Sequence, residues 1–222
     1  MSWDYTILVV STGNAAPTRE KCIASVDMQE GVDVHHVYVE ASAQSPRRGV
    51  MQNRYEAITL GPWRSPETIV AIVDGDDWLV TKDALAKVQA VHDAGAWLTW
   101  GSFELADGRP GCCARYGDDD PRTTPWRMSH LKTFRLGLFQ RIKLEHLQRD
   151  GQWLQHALDL AIMFPMYELC PPERRAFVPE VLYAYNLASS FEFNAPARDL
   201  KHEADDVAYV RGLPRYERIE KL

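Results

Sequence analysis

The most informative part of this sequence is Ile69-Val70-Ala71-Ile72-Val73-Asp74-Gly75-Asp76-Asp77-Trp78-Leu79. Its apolar, β-branched start runs directly into three carboxylates around a glycine, which predicts a strand buried on both faces that ends in an acidic turn. Ligands of open α/β sheets bind beyond the carboxyl ends of the strands, so we expect Asp74, Asp76 and Asp77 at a ligand site. Such an all-oxygen cluster suits Mg²⁺ or Mn²⁺ and does not suit zinc. The alternative is an ordinary Asp-Gly turn with solvated charges.

Strands and helices alternate on both sides of this stretch. Apolar runs predict further strands over 6–10, 34–40 and 97–105, and periodic segments predict helices over about 17–28, 47–60 and 82–94. Each early strand delivers polar residues at its carboxyl end, Ser11-Thr12-Gly13-Asn14 after the first and Glu40 after the second. The order βαβαβα favours an α/β fold with a largely parallel sheet between layers of helices.

The second half of the sequence is less regular. Residues 107–129 have no clear period and are expected to form a long surface loop. Segments 131–149 and 153–164 have near-helical apolar spacing, and Pro165 is expected to stop or kink the second of them. A late strand is predicted over 179–186.

Several charged or polar residues have a structural and a functional interpretation. Asp159 lies among apolar residues, where a carboxylate is either half-exposed or functional, because burial would raise its pKa. The basic residues of the second helix, Arg47, Arg48 and Arg54, can reach a phosphate or be solvated. His35 and His36 alternate along a strand, so they face opposite sides and cannot bind one metal ion together.

Composition limits the classes of function. The 222 residues are 45% hydrophobic and 25% charged, as in ordinary soluble globular proteins. No segment approaches the roughly 18 apolar residues of a transmembrane segment, and the N-terminus lacks a signal-peptide pattern, so a cytoplasmic location is expected. The four cysteines contain no C-x-x-C and are interpreted as reduced thiols. A formal charge of −6 does not indicate a nucleic acid partner.

Taken in order, these pieces resemble the inverting glycosyltransferases of family 2, in particular small viral and bacterial members. The resemblance covers nearly the whole chain and rests on these motifs: V-V-S-T-G-N (9–14), R-R-G-V-M-Q-N-R-Y-E-A-I (47–58), V-D-G-D-D-W-L (73–79), S-H-L-K-T-F-R (129–135), D-L-A-I-M-F-P-M-Y-E-L (159–169) and V-L-Y-A-Y-N (181–186). Two residues depart from the family pattern. Glu40 stands where many relatives have Asp, and Leu158-Asp159 stands where a Glu-Asp pair is expected.

The resemblance implies a single domain with the GT-A fold, in which residues 1–106 bind a nucleotide sugar and residues 107–222 bind the acceptor. It implies Mn²⁺ or Mg²⁺ as cofactor, a nucleoside-diphosphate sugar as donor and a hydroxyl-bearing acceptor. Asp159 would be the general base. The residues implied for the nucleotide sugar are Thr12, Asn14, Glu40, Arg54, Asp74, Gly75, His130 and Lys132. The residues implied for the metal are Asp76, Asp74 and His202.

Two other classes of protein compete with this interpretation. A nucleotidyltransferase or phosphoesterase also places carboxylates at strand ends, but it gives Asp159 no role. A nucleotidyltransferase would moreover be expected to carry a basic, glycine-rich loop after its first strand, and Ser11-Thr12-Gly13-Asn14 has one glycine and no base. The second competitor is a non-catalytic module that binds nucleotide sugars, against which Asp76 and Asp159 count.

Overall fold

The computed structural model describes residues 7–13, 18–40, 49–63, 65–111, 113–187 and 200–222. The strands in these ranges are β1 (Ile7–Gly13), β2 (Val34–Glu40), β3 (Ile69–Asp74), β4 (Trp78–Leu79), β5 (Leu98–Leu105), β6 (Lys132–Arg135), β7 (Gln148–Arg149), β8 (Gln152–Trp153) and β9 (Arg175–Tyr185). The α-helices are α1 (Arg19–Asp27), α2 (Val50–Thr59), α3 (Ala84–Asp93), α4 (Leu136–Phe139), α5 (Leu158–Leu169) and α6 (Leu200–Gly212). None of the described helices is long and apolar enough to span a lipid bilayer.

The main sheet has the strand order β2-β1-β3-β6-β5-β9-β4, and β7 pairs with β8 separately. Strands β2, β1 and β3 are parallel to one another, and β5 is parallel to β9. Strand β6 lies between β3 and β5 and is antiparallel to both, and β4 is antiparallel to β9. The expected α/β architecture with a mostly parallel central sheet is therefore confirmed, with β6 as the reversed strand inside it.

Strand β3 is buried on both faces, as its sequence predicts. Each residue from Ile69 to Val73 is at most 1% exposed. Because side chains alternate along a strand, Val70 and Ile72 face a core that includes residues of α2, α4 and α5, and Ile69, Ala71 and Val73 face a core that includes residues of α1 and α3. Among the described residues, helices cover both faces of β3, and its polar residues follow at its carboxyl end.

The predicted helical character of 131–149 holds for only part of the segment. The segment starts with β6, whose residues pair with β3 and β5, and continues through the short helix α4. Apolar spacing in so short a segment fits either structure, and pairing inside a buried sheet overrides it. The expected stop of the helix at Pro165 is wrong, because α5 continues through it to Leu169. Its neighbours from Ala161 to Tyr167 are all buried, so tertiary packing stabilises the helix despite the missing N–H donor.

The segment 107–129 is more than a surface loop. Tyr116 and Met128 are buried in the core, and Arg122 is buried as well. The Arg122 guanidinium pairs with Glu168 of α5 at 2.5 Å and donates to the carbonyl of Val210 at 2.8 Å near the end of α6. This arginine therefore joins the irregular segment, α5 and α6, which a pattern of apolar residues does not reveal.

Candidate functional site

The acidic turn after β3 lies at the carboxyl edge of the parallel strands. In the sheet register Thr12 of β1 stands beside Asp74, and Gly13 stands beside Glu40. The turn is held against β1 by a hydrogen bond from the Gly75 N–H to the Thr12 carbonyl, at 3.0 Å. The ends of three parallel strands therefore bring Thr12, Glu40 and Asp74 to one edge, as the sequence predicts.

Two carboxylates and two buried cations form the centre of this edge. Arg54 of α2 contacts the Asp74 carboxylate through Nη2 and lies 3.3 Å from Asp159 Oδ1 through Nη1. Lys132 Nζ donates to Asp159 Oδ2 at 2.6 Å. The side chains of Arg54 and Lys132 are 5% and 1% exposed, whereas those of Asp74 and Asp159 are 21% and 27% exposed. The carboxylates thus stand between the two cations and the solvent.

The reversed direction of β6 explains how Lys132 reaches this site. Lys132 is the first residue of β6 and pairs with Ile72, two residues before Asp74. Because β6 runs antiparallel to β3, its beginning lies at the edge where β3 ends. Asp159 comes to the same edge from the first turn of α5. Residues that are far apart in sequence therefore meet around one acidic turn.

The expectation that an apolar setting raises the pKa of Asp159 is wrong. Burial does act in that direction, but the charges of Lys132 and Arg54 act more strongly together and hold the pKa of this carboxyl well below its usual range. The carboxyl is therefore ionised at neutral pH, and both of its oxygens are engaged by cations. The apolar residues around Asp159 in the sequence gave no signal of these two partners.

Asp77 does not stand at the mouth of the site, as its place in the acidic turn had suggested. It is 1% exposed, and its carboxylate accepts a hydrogen bond from Tyr183 Oη at 2.6 Å and from the Asn186 N–H at 2.8 Å. Burial and the nearby Asp74 charge raise the pKa of Asp77 to about 8. The Tyr183 hydroxyl also accepts from the Asp74 N–H at 3.0 Å, so Asp77 and Tyr183 fasten the acidic turn to β9.

His130 is buried at this site and contacts Tyr183 and Lys132. Its ring stacks on Tyr183 with the centroids 4.3 Å apart, and its Nδ1 accepts from Lys132 Nζ at 3.3 Å. Burial and the Lys132 charge lower the pKa of His130 to about 3, so the imidazole is neutral. Ligand atoms of Asp74, Asp77 and His130 lie within 4.8 Å of one another. Among the described residues, these three form the group whose side chains could together hold a metal ion.

The donor set around the turn fits a hard divalent cation. Asp74 and Asp76 are partly exposed and offer carboxylate oxygens, which Mg²⁺ and Mn²⁺ prefer. Asp77 is a poorer ligand because both of its oxygens already accept hydrogen bonds. Of the two partly exposed carboxylates, Asp74 belongs to the group with Asp77 and His130, and Asp76 lies outside that group.

Two buried polar atoms at this edge have no hydrogen-bond partner among the described residues. They are Thr12 Oγ1 and Arg54 Nε. The two residues are each 4% exposed. A buried polar group without a partner is costly, so such atoms mark places where a ligand or a water molecule completes the bonding.

The remaining predicted site residues have different surroundings. Glu40 is exposed and pairs with Arg19 at 2.9 Å. Gly75 is buried and packs against Gly13, with no room for a side chain. His202 is exposed in the first turn of α6 and does not belong to the group formed by Asp74, Asp77 and His130. Asn14 lies outside the described residues, as do Arg47 and Arg48.

A second cleft, of about 500 Å³, lies at the opposite edge of the sheet, where β9 begins. Its lining includes Arg215 and Glu168, which are already paired with Asp120 at 2.6 Å and Arg122 at 2.5 Å. These pairs fasten the C-terminal tail, so we place no reaction there.

Comparison with solved structures identifies the fold. Residues 1-349 of TarS from S. aureus, in complex with UDP-GlcNAc, match this chain with a TM-score of 0.62 and 12% identity, over 92% of this chain and 64% of that one. The mannosyltransferase PcManGT from Pyrobaculum calidifontis, in complex with GDP-Man and Mn²⁺, matches with a TM-score of 0.52 and 15% identity, over 97% of this chain and 67% of that one.

Another structure of S. aureus TarS matches with a TM-score of 0.56 and 15% identity over 81% of this chain, which spans only 36% of that protein's length. No protein-family model and no curated protein matches the sequence. The likeness lies in the three-dimensional structure, and it shows that the chain has the GT-A type of fold found in these glycosyltransferases.

Proposed function

We propose that the chain is a metal-dependent inverting glycosyltransferase, which moves a sugar from a nucleoside-diphosphate sugar to an acceptor hydroxyl. The strongest support for this proposal comes from two contacts of Arg54. Arg54 contacts both Asp74, at the acidic turn, and Asp159, at the start of α5. A group suited to phosphate thus lies between a candidate metal ligand and a candidate base, in a fold shared with nucleotide-sugar enzymes.

The donor side of the site is formed by the ends of β1, β2 and β3. Thr12, Glu40, Asp74 and Gly75 border the nucleotide sugar in this proposal, and Arg54 binds its diphosphate. Asp74 and Asp76 would hold Mn²⁺ or Mg²⁺, with His202 of α6 as a further candidate ligand, and the cation would neutralise charge on the departing diphosphate. The resemblance in sequence extends the donor side to Asn14.

Asp159 acts on the acceptor. Its carboxylate removes the proton of the acceptor hydroxyl while that oxygen bonds to the anomeric carbon. The bond from the anomeric carbon to the diphosphate breaks on the opposite face, and its electrons leave with the nucleoside diphosphate. A single displacement of this kind inverts the anomeric centre. Residues 1–106 would then provide most of the donor site, and residues 107–222 most of the acceptor site.

The experiment starts with a screen of UDP-sugars and GDP-sugars for Mn²⁺-dependent release of nucleoside diphosphate. With a donor identified, Asp159→Asn is expected to lose transfer by about 10² to 10⁴-fold, or roughly 3 to 5 kcal/mol of barrier. Asp93→Asn is the matched control, because Asp93 is an exposed carboxylate at the end of α3, next to the edge where β5 begins. Near-normal transfer by Asp159→Asn would contradict the base assignment, and a retained anomeric configuration would contradict inversion.

A second candidate function is a module that binds nucleotide sugars without turnover. It is favoured by the two cations on Asp159, because they lower its affinity for a proton and so weaken it as a base in the ligand-free protein. The same screen separates the two functions. Binding of a nucleotide sugar by calorimetry, with no diphosphate released in the presence of any acceptor tested, identifies the module.

A further inference from the structure

In this structure the cations of the site form ion pairs with carboxylates of the same site. Arg54 and Lys132 are buried cations of this site, and both are engaged by Asp159, at 3.3 Å and 2.6 Å. Arg54 is also engaged by Asp74. The carboxylates thus occupy the positions beside the cations that an anionic ligand would take.

The two cations are held unequally. Lys132 is completely buried and has Asp159 and His130 as partners, so without the Asp159 charge it would be an uncompensated buried cation. Arg54 has the longer bond to Asp159, and its Nε has no partner among the described residues. A guanidinium offers five N–H donors in a plane, so Arg54 has capacity for an anion that the carboxylates leave unused.

We propose that Asp159 competes with the donor diphosphate for Arg54, and that donor binding releases Asp159 to act as the base while Lys132 keeps it in place. This inference rests on the proposed function and adds an order of events to it. The diphosphate draws Arg54 away from Asp159, which restores part of the carboxylate's affinity for a proton. Deprotonation of an acceptor therefore follows occupation of the donor site.

The competition predicts that removing the charge of Asp159 increases the affinity for the nucleotide. If Asp159 holds Arg54 away from the ligand, Asp159→Asn should bind UDP or GDP about tenfold more tightly than the wild type, a typical coupling for neighbouring charged groups. Asp159→Glu keeps the charge and should bind like the wild type. A carboxylate that only faces the acceptor would leave the affinity unchanged.

The test is isothermal titration calorimetry with UDP and, in parallel, GDP in the presence of Mn²⁺, with the melting temperature of each variant measured beside it. Asp93→Asn is the control for the loss of one carboxylate and should leave the affinity unchanged. In the Arg54→Ala background, Asp159→Asn should no longer raise the affinity, because the shared partner is gone.

The Asp159→Asn protein has an unpaired buried Lys132 and could fail to fold. The comparison is then made between Lys132→Met and Lys132→Met with Asp159→Asn, where the pair is removed together, and the double variant should bind more tightly. Equal or weaker nucleotide binding by the folded Asp159→Asn proteins would overturn this inference and leave the proposed function standing. A wild-type protein that binds no nucleoside diphosphate would overturn both.

Discussion

At the scale of residues, burial and charge decide what each titratable group can do. Asp159 and Asp77 are both carboxyls of one site, yet the pKa of the first lies below and that of the second above the ordinary value. Burial and the Asp74 charge raise the pKa of Asp77, whereas the two cations beside Asp159 lower its pKa by more than burial raises it. Two residues of the same type in one site therefore differ: Asp159 is ionised and partly exposed, whereas Asp77 is buried and has a raised pKa.

The buried histidine His92 gives a prediction on stability. Its Nδ1 donates to the Ala96 carbonyl at 2.9 Å, its Nε2 accepts from Thr133 Oγ1 at 2.8 Å, and burial lowers its pKa to about 4. The unfolded chain, with an ordinary histidine pKa of about 6.5, binds the proton more readily. The contribution of the neutral, buried His92 to the free energy of unfolding is therefore present above pH 6.5. It is lost as the pH falls from about 6.5 to about 4.

We expect the free energy of unfolding in urea to fall by about 3 kcal/mol across this window because of His92. His92→Gln should be less stable at pH 7 and should show a smaller fall. His130 is also buried with a lowered pKa, so some pH dependence persists in the variant. An unchanged slope between pH 6.5 and pH 4 in His92→Gln would show that this side chain does not titrate as described.

At the scale of elements, the acidic turn depends on a close approach of two glycines. A Cβ on Gly75 would lie 2.7 Å from Tyr38 Oη and 3.0 Å from the Gly13 Cα. The turn after β3 can thus pack against the end of β1 only without a side chain at this position. The same contact keeps Asp74 beside Thr12, so the local backbone sets the geometry of the edge where β1 and β3 end.

Gly75→Ala should therefore destabilise the protein by about 1 to 3 kcal/mol through overpacking and should weaken Mn²⁺ and nucleotide binding. Gly212→Ala is the matched control, because a Cβ there meets no atom within 4 Å at the end of α6. Urea unfolding and calorimetry measure the two effects. If Gly75→Ala unfolds and binds like Gly212→Ala, the close approach of the two glycines has no role in the site.

At the scale of the whole molecule, the two halves of the chain build one site. Thr12, Arg54 and Asp74 come from the first half, and Lys132 and Asp159 come from the second. The antiparallel strand β6 and the beginning of α5 bring the second set to the edge where β1 and β3 end. Ligands that contact both sets should therefore stabilise the fold as a unit.

This arrangement predicts coupled binding of metal and nucleotide. Mn²⁺ alone should bind weakly, because a few carboxylates leave coordination positions for phosphate and water, and it should bind more tightly with UDP or GDP. With both ligands at about 100 times their dissociation constants, each should add roughly 2.7 kcal/mol to the stability and raise the melting temperature.

Calorimetry and thermal unfolding check this coupling, with Asp76→Ala as the variant that should lose it and Asp93→Asn as the control. Equal Mn²⁺ affinity with and without nucleotide would contradict the prediction that metal and nucleotide bind at one site. If Asp76→Ala keeps the Mn²⁺ affinity and the coupling of the wild type, Asp76 is not a metal ligand.

Sequence patterns were enough to predict the central strand β3, the acidic turn after it and the α/β alternation of the first half. These features are local, because a buried strand needs a continuous apolar run and a turn needs Asp and Gly where the chain reverses. The second strand, Val34–Glu40, has its predicted bounds for the same reason. Family motifs added Asp159 and Lys132 as candidates for the site.

How these residues interact depends on the three-dimensional packing of the chain. This packing reversed β6, carried α5 through Pro165, buried Asp77 under Tyr183 and placed Lys132 and Arg54 on Asp159. Each result depends on contacts between segments far apart in the chain, whose energies come from packing and charge pairing and leave no periodic trace in the sequence. Local patterns set where Asp159 lies along the chain, whereas its affinity for a proton is set by cations that the fold brings to it.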